Sequence, residues 1–420
     1  MALDSKYIFN HQQPEAEAMV KWLSSYGQSK HGGVSRLLYS SSWINAQHAL
    51  KAKMEEIGLT TYFDSVGNLF GRLEGSNPQS PIILTGSHID SVIDGGMYDG
   101  VYGIIASLLS VKRLIDQHGQ PNKTIEVVSL CEEEGSRFPL TFWGSGNMTG
   151  RYSLKDGTRI TDGDGIKLLD AMKTAGFDPE QYETPVRDDI GCFIELHVEQ
   201  GITLERTNKS LGIVSHIVGQ RRFNIRITGE SNHAGTTPMN FRKDAMLAAS
   251  HLITFINKKA QETDPQLVAT TGKLTAKPNV PNVIAGEVLF TLDVRHYDEQ
   301  TLDQFCQELS LFFIDYSKEH EMEIEIDQWM SVKPVMMDST LTNHLTKIAQ
   351  EKGFSYSPIV SGAGHDAQVF GTHCPTALLF VPSENGVSHS PKESTKKEDL
   401  EKGRSVLTEL LYQLAYHEEG

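Results

Sequence analysis

The sequence predicts an α/β protein in two parts. A larger domain is built on a mixed, mainly parallel sheet with helices on both faces, and a smaller ferredoxin-like α+β domain is inserted into it. Three observations lead there. Four apolar, β-rich runs (82–85, 125–130, 193–196 and 377–381) have the length of buried strands, and each empties into imidazole or carboxylate groups. The middle of the chain switches to half-exposed alternation in the order βαββαβ. A late histidine, His389, lies far from the other polar strand ends, as an insertion requires.

The strand ends come first. Ile82 to Thr85 leads into Gly86-Ser87-His88-Ile89-Asp90, and Ile125 to Leu130 into Cys131-Glu132-Glu133-Glu134-Gly135. Phe193 to Leu196 leads into His197-Val198-Glu199-Gln200, and Ala377 to Val381 into the loop holding His389. Parallel α/β sheets bind ligands beyond the carboxyl ends of their strands, so these groups are expected at one edge. With Asp99, in Tyr98-Asp99-Gly100, the set holds three imidazoles (His88, His197, His389) and two carboxylates (Asp99, Glu134). It suits one or two divalent transition metals, zinc or manganese. A lone histidine or acidic run is ordinarily solvated surface; coincidence at four strand ends carries the reading.

Two metals need a bridging carboxylate, and Asp99, short and followed by glycine, is the natural one. Asp90, two residues after His88, is placed to accept the distal ring proton of that imidazole. Adjacent carboxylates do not easily reach one metal together, so one of Glu133 and Glu134 is free for proton transfer; Glu133 is read as the general base, taking a proton from water and passing it to the leaving nitrogen.

The inserted part follows. Arg222 to Thr228 alternates as a half-exposed strand, and Asp244 to Lys259 has helical periodicity. Leu267 to Thr275 and Val288 to Arg295 read as strands, split by the Pro278-Asn279-Val280-Pro281-Asn282 turn. Leu302 to His320 is an amphipathic helix, and Met322 to Asp327 a last strand. The domains are therefore 1–213 with 331–420, discontinuous, and 214–330, inserted.

Composition bounds the function. Hydrophobic residues at 39% and charged residues at 22% describe an ordinary globular chain, long enough for two cores. A formal charge of −16 argues against nucleic acid and anionic membrane as partners, and obliges an anionic substrate to find a local basic patch. Met1 to Gln13 is polar and lacks the apolar stretch of a signal peptide, and no run reaches transmembrane length. Four scattered cysteines form no CxxC pair, which fits a reducing cytoplasm; Cys131 and Cys192 read as packing residues rather than ligands. The glycines around Asp99 lack the spacing of a dinucleotide loop and the lysine of a P-loop.

Several long motifs resemble the M20-type amidohydrolases: Gly86-Ser87-His88-Ile89-Asp90, Asp99-Gly100, Glu132 to Phe138, Glu195 to Gly201 and Ser231 to Pro238. Trp22 to Gly27, Arg36 to Ser40, Trp143-Gly144-Ser145, Gly219 to Arg222 and Ser361 to Gln368 narrow this to the branch acting on allantoate and N-carbamoyl-L-amino acids. The resemblance spans nearly the whole chain. It implies that Asp99 bridges two metals, with His88 and His197 on one and Glu134 and His389 on the other, that Glu133 is the base, and that the peptide after Asp99 is cis. It further implies a homodimer, with the inserted domain as lid and dimerisation domain. His233, before the small-residue loop Ala234-Gly235-Thr236-Thr237, would then reach a neighbouring subunit's site and polarise the scissile carbonyl. Asn282, Arg295 and Arg222 match substrate-binding positions, an arginine fork being suited to a carboxylate. Gln200 and His365 are further candidates for orienting a ureido or carboxylate group.

The expected activity is hydrolysis of a linear ureido C–N bond beside a carboxylate in a small anion. Allantoate, going to ureidoglycine, ammonia and carbon dioxide, is the first substrate and N-carbamoyl-L-amino acids the second. A peptidase and a non-catalytic metal scaffold are weaker alternatives; a scaffold needs no spare carboxylate such as Glu133.

Overall fold

The four apolar runs become neighbouring parallel strands. In the computed structural model, which describes residues 15–417, Ile82–His88 pairs in parallel with both Ile125–Leu130 and Ile190–Val198. Thr376–Val381 pairs in parallel with Ile190–Val198 on its other side. Antiparallel strands extend this core: Leu69–Leu73 and Thr60–Phe63 beyond Ile125–Leu130, and Leu211–Ile217 beyond Thr376–Val381. The central strands are buried almost throughout, which explains why they read as continuous apolar runs rather than alternating ones.

Alternation along Ile190–Val198 sorts the two faces of the sheet. Cys192, Ile194, Leu196 and Val198 join one core with the helices Val101–His118 and Lys397–Tyr416. Phe193, pointing the other way, packs on Phe370 of the short helix Asp366–Phe370. Val101–His118 is buried on all sides through Val111, because Lys397–Tyr416 and Glu15–Ser24 cover the side turned from the sheet. The Tyr102 hydroxyl donates to Leu400 O at 2.6 Å and ties the two long helices together. All four cysteines are free, and among the described residues no helix is long and apolar enough to cross a membrane. The segment Met1 to Gln13, read as carrying no signal peptide, lies outside the described residues.

The chain divides into two compact units. The larger takes the chain up to Ser215, Met336–Ile359 and the chain from His365; the smaller is His216–Val335 with Val360–Gly364. That last short segment has no counterpart in the sequence reading, since five residues carry no periodicity.

The smaller unit is an antiparallel sheet in the order Glu323–Val332, Gly219–Thr228, Glu287–His296, Val268–Thr270, with Leu274–Lys277 also on Glu287–His296. Every second residue of Gly219–Thr228 and Glu287–His296 is buried, and these pack with the helices Ala245–Thr263 and Glu299–His320 in a separate core. Asp244 and Asp298 cap the two helices by accepting backbone N–H groups of their first turns.

Two strands differ from expectation. The run expected at 267–275 breaks at Gly272, and its second half continues to Lys277. The strand expected at 322–327 runs on to Val332, with a register shift between Gln328 and Met330 that leaves Trp329 unpaired and half exposed.

One position in the central sheet tolerates no side chain. Gly86 has φ +151°, and a Cβ there would lie 1.9 Å from the carbonyl oxygen of Val128 on the neighbouring strand. Gly86→Ala is expected to cost on the order of 3 kcal/mol, read as a lower urea midpoint with unchanged slope; an unshifted midpoint would show that the strand pair can separate without penalty.

Candidate active site

The strand order delivers the predicted donors to one edge. His88 ends its strand, His197 lies next to the end of the neighbouring one, and Glu133 and Glu134 follow Cys131 beyond the third. Asp99 sits on the turn into Val101–His118, and His389 in the loop after Thr376–Val381. Asp99 Oδ1 is 3.4 Å from His88 Nε2 and 3.2 Å from His197 Nε2. Asp99 Oδ2 is 3.3 Å from His389 Nε2, which lies 3.4 Å from Glu134 Oε1. The donors thus form two groups, His88/Asp99/His197 and Asp99/Glu134/His389, sharing Asp99.

Hydrogen bonds set the ring tautomers. His197 Nδ1 is 2.9 Å from the carbonyl of Val198, and its Nε2 accepts the N–H of Gly100 at 3.0 Å. The proton therefore belongs on Nδ1, and Nε2 offers a lone pair. His88 repeats this, with Nδ1 3.1 Å from the carbonyl of Asp90 and Nε2 toward Asp99. Lone pairs of imidazole and carboxylate that face one another at such distances need a cation between them, either a proton or a metal ion. Glu134 Oε1 is buried with no hydrogen-bond partner, as a ligand oxygen would be.

Asp90 has partners on two sides. Its carboxylate is 3.4 Å from His88 Nδ1, but accepts the backbone N–H groups of Glu133 (3.0 and 3.1 Å) and Glu134 (3.0 Å). The ring proton meets the Asp90 carbonyl more closely, while the side chain anchors the loop that carries the base and a ligand. The peptide after Asp99 is a correction: among the described residues the cis bond is Lys277–Pro278. Gly100, with φ +65°, turns the chain at that point instead. Gln200 donates from Nε2 to Asp99 Oδ2 at 2.8 Å, so in this structure it braces the shared carboxylate. His365 is buried 4.6 Å, centroid to centroid, from the His197 ring, with Nε2 unpartnered and with Glu195 close enough to form a third donor group.

The remaining candidates lie in the smaller unit, in two places. Arg222 and Arg295 both pair with Asp293 and line a cavity of about 740 Å³ with Trp329, Val268 and Leu292. His233 and Asn282 lie together elsewhere: His233 bridges to Val283, and the Ala234 N–H donates to the Asn282 carbonyl at 3.0 Å. His233 is exposed, and its Nδ1 accepts the Gly235 N–H at 3.0 Å, so a neutral ring carries its proton on Nε2. Arg242, unremarked in the sequence, clips this loop by donating to the carbonyls of Thr237 and Ala234.

Residues 84–413 match the model of peptidase family M20/M25/M40. The chain belongs to that family. It is 49% identical to an allantoate amidohydrolase of Bacillus subtilis over 94% of this chain and 96% of the relative. It is 37% identical to an N-carbamoyl-L-amino-acid amidohydrolase of a Pseudomonas species, over 93% and 95%. Among solved structures, an amidase of the hydantoinase/carbamoylase family from Burkholderia multivorans superposes with a TM-score of 0.91 at 32% identity, covering 96% of this chain and 98% of that one.

The electrostatics of this M20 site are those of a crowded anion cluster. Burial raises the pKa of Glu133 well above the carboxylate range, with Glu134, Asp366 and Asp90 adding to it and His88 opposing. Burial, then Asp99, lifts Glu134 to about 7. The imidazoles answer in kind: burial would lower His88, but Asp90 and Asp99 raise it well above its ordinary value, and Asp99 pushes His389 up to about 9. His365 goes the other way, held neutral first by burial and then by His197.

Sequence reasoning missed Glu393. Buried beside Asp99, it accepts the backbone N–H groups of Tyr98 (2.8 Å) and Asp99 (3.1 Å) through Oε1, and the Ser388 hydroxyl (3.0 Å) through Oε2. It thereby joins the Asp99 turn to the His389 loop, and Gly96 is bare so that it fits: a Cβ there would lie 2.2 Å from its carboxylate. In chelator-treated protein, Glu393→Ala is expected to lose about 2–4 kcal/mol by orphaning the two N–H groups, and Glu393→Gln less, since it keeps an acceptor. Urea denaturation of the two variants decides; equal losses would show that the N–H pair is satisfied otherwise.

Proposed function

We propose that this M20 family member is a cytoplasmic, two-metal amidohydrolase that cleaves a ureido C–N bond beside a carboxylate, with allantoate as its substrate. The observation that carries the proposal is the pair of donor groups sharing Asp99, with the Nε2 atoms of three imidazoles turned toward it. His88 and His197 would hold one divalent ion, Glu134 and His389 a second, and Asp99 both; imidazole with carboxylate suits zinc or manganese. Such a pair supplies Lewis acidity for polarising a carbonyl and lowering the pKa of water.

The chain's own residues do the rest. Glu133 is the spare carboxylate: its backbone is anchored by Asp90, and its side chain makes no hydrogen bond among the described residues. As the carboxylate left over from metal binding, it would take a proton from water and deliver it to the leaving nitrogen. His233 offers an outward Nε2–H, the donor that a developing carbonyl charge needs. Its loop ends in exposed Met239 and Phe241, apolar side chains suited to resting on a second copy of the chain, and we assign His233 to that copy's site. Arg295 of one copy would hold the substrate carboxylate together with Asn282 of the other, which is carried beside His233. The apolar walls of the cavity at Arg295 (Val218, Val268, Leu292, Val360) favour a second reading, an N-carbamoyl-L-amino acid with an apolar side chain.

Removing the shared carboxylate should empty both positions at once. Asp99→Ala, purified without chelator, is expected to bind neither ion, and stoichiometric metal by elemental analysis would count against the bridge.

Glu133→Gln should keep its metals and lose about 10²–10⁴-fold in kcat. Mixed with inactive His233→Ala under subunit exchange, it should regain partial activity, because each heterodimer retains one intact composite site. Exchange proven by mass, without recovered turnover, would place His233 in its own chain's site.

The substrate is decided by ammonia and amino-acid release from a panel of allantoate, N-carbamoyl-L-amino acids and dipeptides. Faster turnover of allantoate supports the reading. Preference for N-carbamoyl-L-leucine would transfer it to the second, and dipeptide cleavage alone would refute both.

A further inference from the structure

Asp293 has no role in the reading above, yet it is the hub of the smaller unit's exposed sheet face. Register pairs Asp293 with Arg222 and Arg295 with Gln220 across adjacent antiparallel strands. Alternation turns these four side chains to the face opposite the helices. Asp293 Oδ2 accepts from Gln220 Nε2 (2.7 Å), Arg222 Nε (2.9 Å) and Arg295 Nη2 (3.1 Å), and Oδ1 accepts from Arg295 Nε (3.0 Å). One carboxylate thus orders three side chains, and it borders the same cavity as the two arginines.

The hydrogen-bond count at Arg295 gives this order a purpose. A guanidinium has five N–H groups. Nε and one N–H of Nη2 are spent on Asp293, and one N–H of Nη1 is spent on the Gly362 carbonyl at 2.8 Å. What remains is one N–H on each terminal nitrogen, the pair with which arginine grips a carboxylate. Two guanidiniums against one carboxylate also leave a surplus positive charge. Arg222 is also steadied by Trp329, whose ring centre lies 5.4 Å from the guanidinium carbon. Burial alone would raise the pKa of Asp293; Arg295 and then Arg222 hold it low, so it stays ionised.

We infer that Asp293 is a positioning residue for substrate recognition: it aims the free fork of Arg295 and fixes Arg222 and Gln220 around it, so that the substrate's carboxylate is bound in one orientation. The inference rests on the reading of Arg295 as the carboxylate clamp. It distinguishes aim from charge, because Asp293→Asn is nearly isosteric, raises the local positive charge and removes the bidentate anchor.

The test is a double-mutant cycle on the metal-loaded enzyme, using the substrate preferred in the panel. Asp293→Asn is expected to raise KM about 10- to 100-fold with kcat within about threefold. In an Arg295→Ala background the same substitution should change KM less than about twofold, because the residue through which it acts is gone. A KM that falls, as added positive charge alone would produce, overturns the inference. So does a loss of equal size in the Arg295→Ala background, which marks a general structural role. If the asparagine variant fails to fold, Asp293→Glu enters the same cycle: it keeps the charge and shifts the carboxylate by one methylene, and a wild-type KM there is equally fatal. Should Arg295→Ala itself leave KM unchanged, the clamp reading fails and the inference with it; an impaired Arg295→Ala beside an unimpaired Asp293→Asn removes Asp293 alone.

Discussion

The carboxylate of Asp99 is the point on which the larger unit turns. Oδ1 faces two imidazoles, while Oδ2 faces a third and also accepts from Gln200, so neither oxygen can move without breaking a pair. The sheet makes this possible. Strands about 4.8 Å apart bring the His88 and His197 rings to 5.7 Å, nearly parallel, from adjacent positions on the edge. Gly100 then lets the turn press against them: a Cβ there would lie 2.4 Å from the His88 carbonyl oxygen and 2.6 Å from its Nε2. Without that bare backbone the carboxylate could not come within reach of both rings.

This concentration of charge has a cost in backbone and solvation that the rest of the unit must cover. Glu132, Gln200 and His389 all adopt positive φ, near +55°, in the region where a side chain costs about 1–3 kcal/mol. Glu132 is also buried, and its pKa is driven up by burial, then by Asp90 and Glu134. Such residues persist only where surrounding structure over-determines them. Here it does: Asp90 pins the Glu133–Glu134 backbone, Glu393 pins the Asp99 turn, and Glu195 accepts both the Ser87 hydroxyl and the Ala367 N–H. Carboxylates thus act as internal fasteners, which puts still more negative charge around the donors and makes the centre more receptive to cations.

What could be read from the sequence follows the same logic. His88, Glu134, His197 and His389 were legible because each follows an apolar run, and a buried strand that ends in an imidazole or carboxylate is improbable without a reason. Glu393 was not: it lies among Pro391, Lys392, Ser394 and Thr395, an ordinary polar loop, and its partner Tyr98 is 295 residues away. Asp293 was hidden differently, since an acidic residue on a half-exposed strand looks like solvated surface until register sets it opposite Arg222. The alternation of the strands between 219 and 332 was legible from periodicity, but the break at Gly272 and the irregularity at Trp329 were not, because both depend on what neighbouring strands accept. The cis bond after Asp99 came from resemblance rather than from any residue pattern, and it is the part that the chain does not follow.

The exposed face of the smaller sheet shows how an acidic chain can accommodate an anion. Away from the cavity its cations have acids to spare: Arg226 pairs with Glu287 and Glu325, and Lys277 with Glu287. Around Asp293 they do not, because two arginines share one carboxylate. Strict cancellation would leave nothing to attract a carboxylate, and two unpaired guanidiniums would repel one another and wander. One shared acid avoids both outcomes, cancelling half the charge and spending the inner N–H groups while the outer pair stays available. In a chain of net charge −16 the attraction must be short-ranged, felt only by a ligand already at the cavity. Recognition then depends on direction more than on field, and direction is what register across two antiparallel strands supplies.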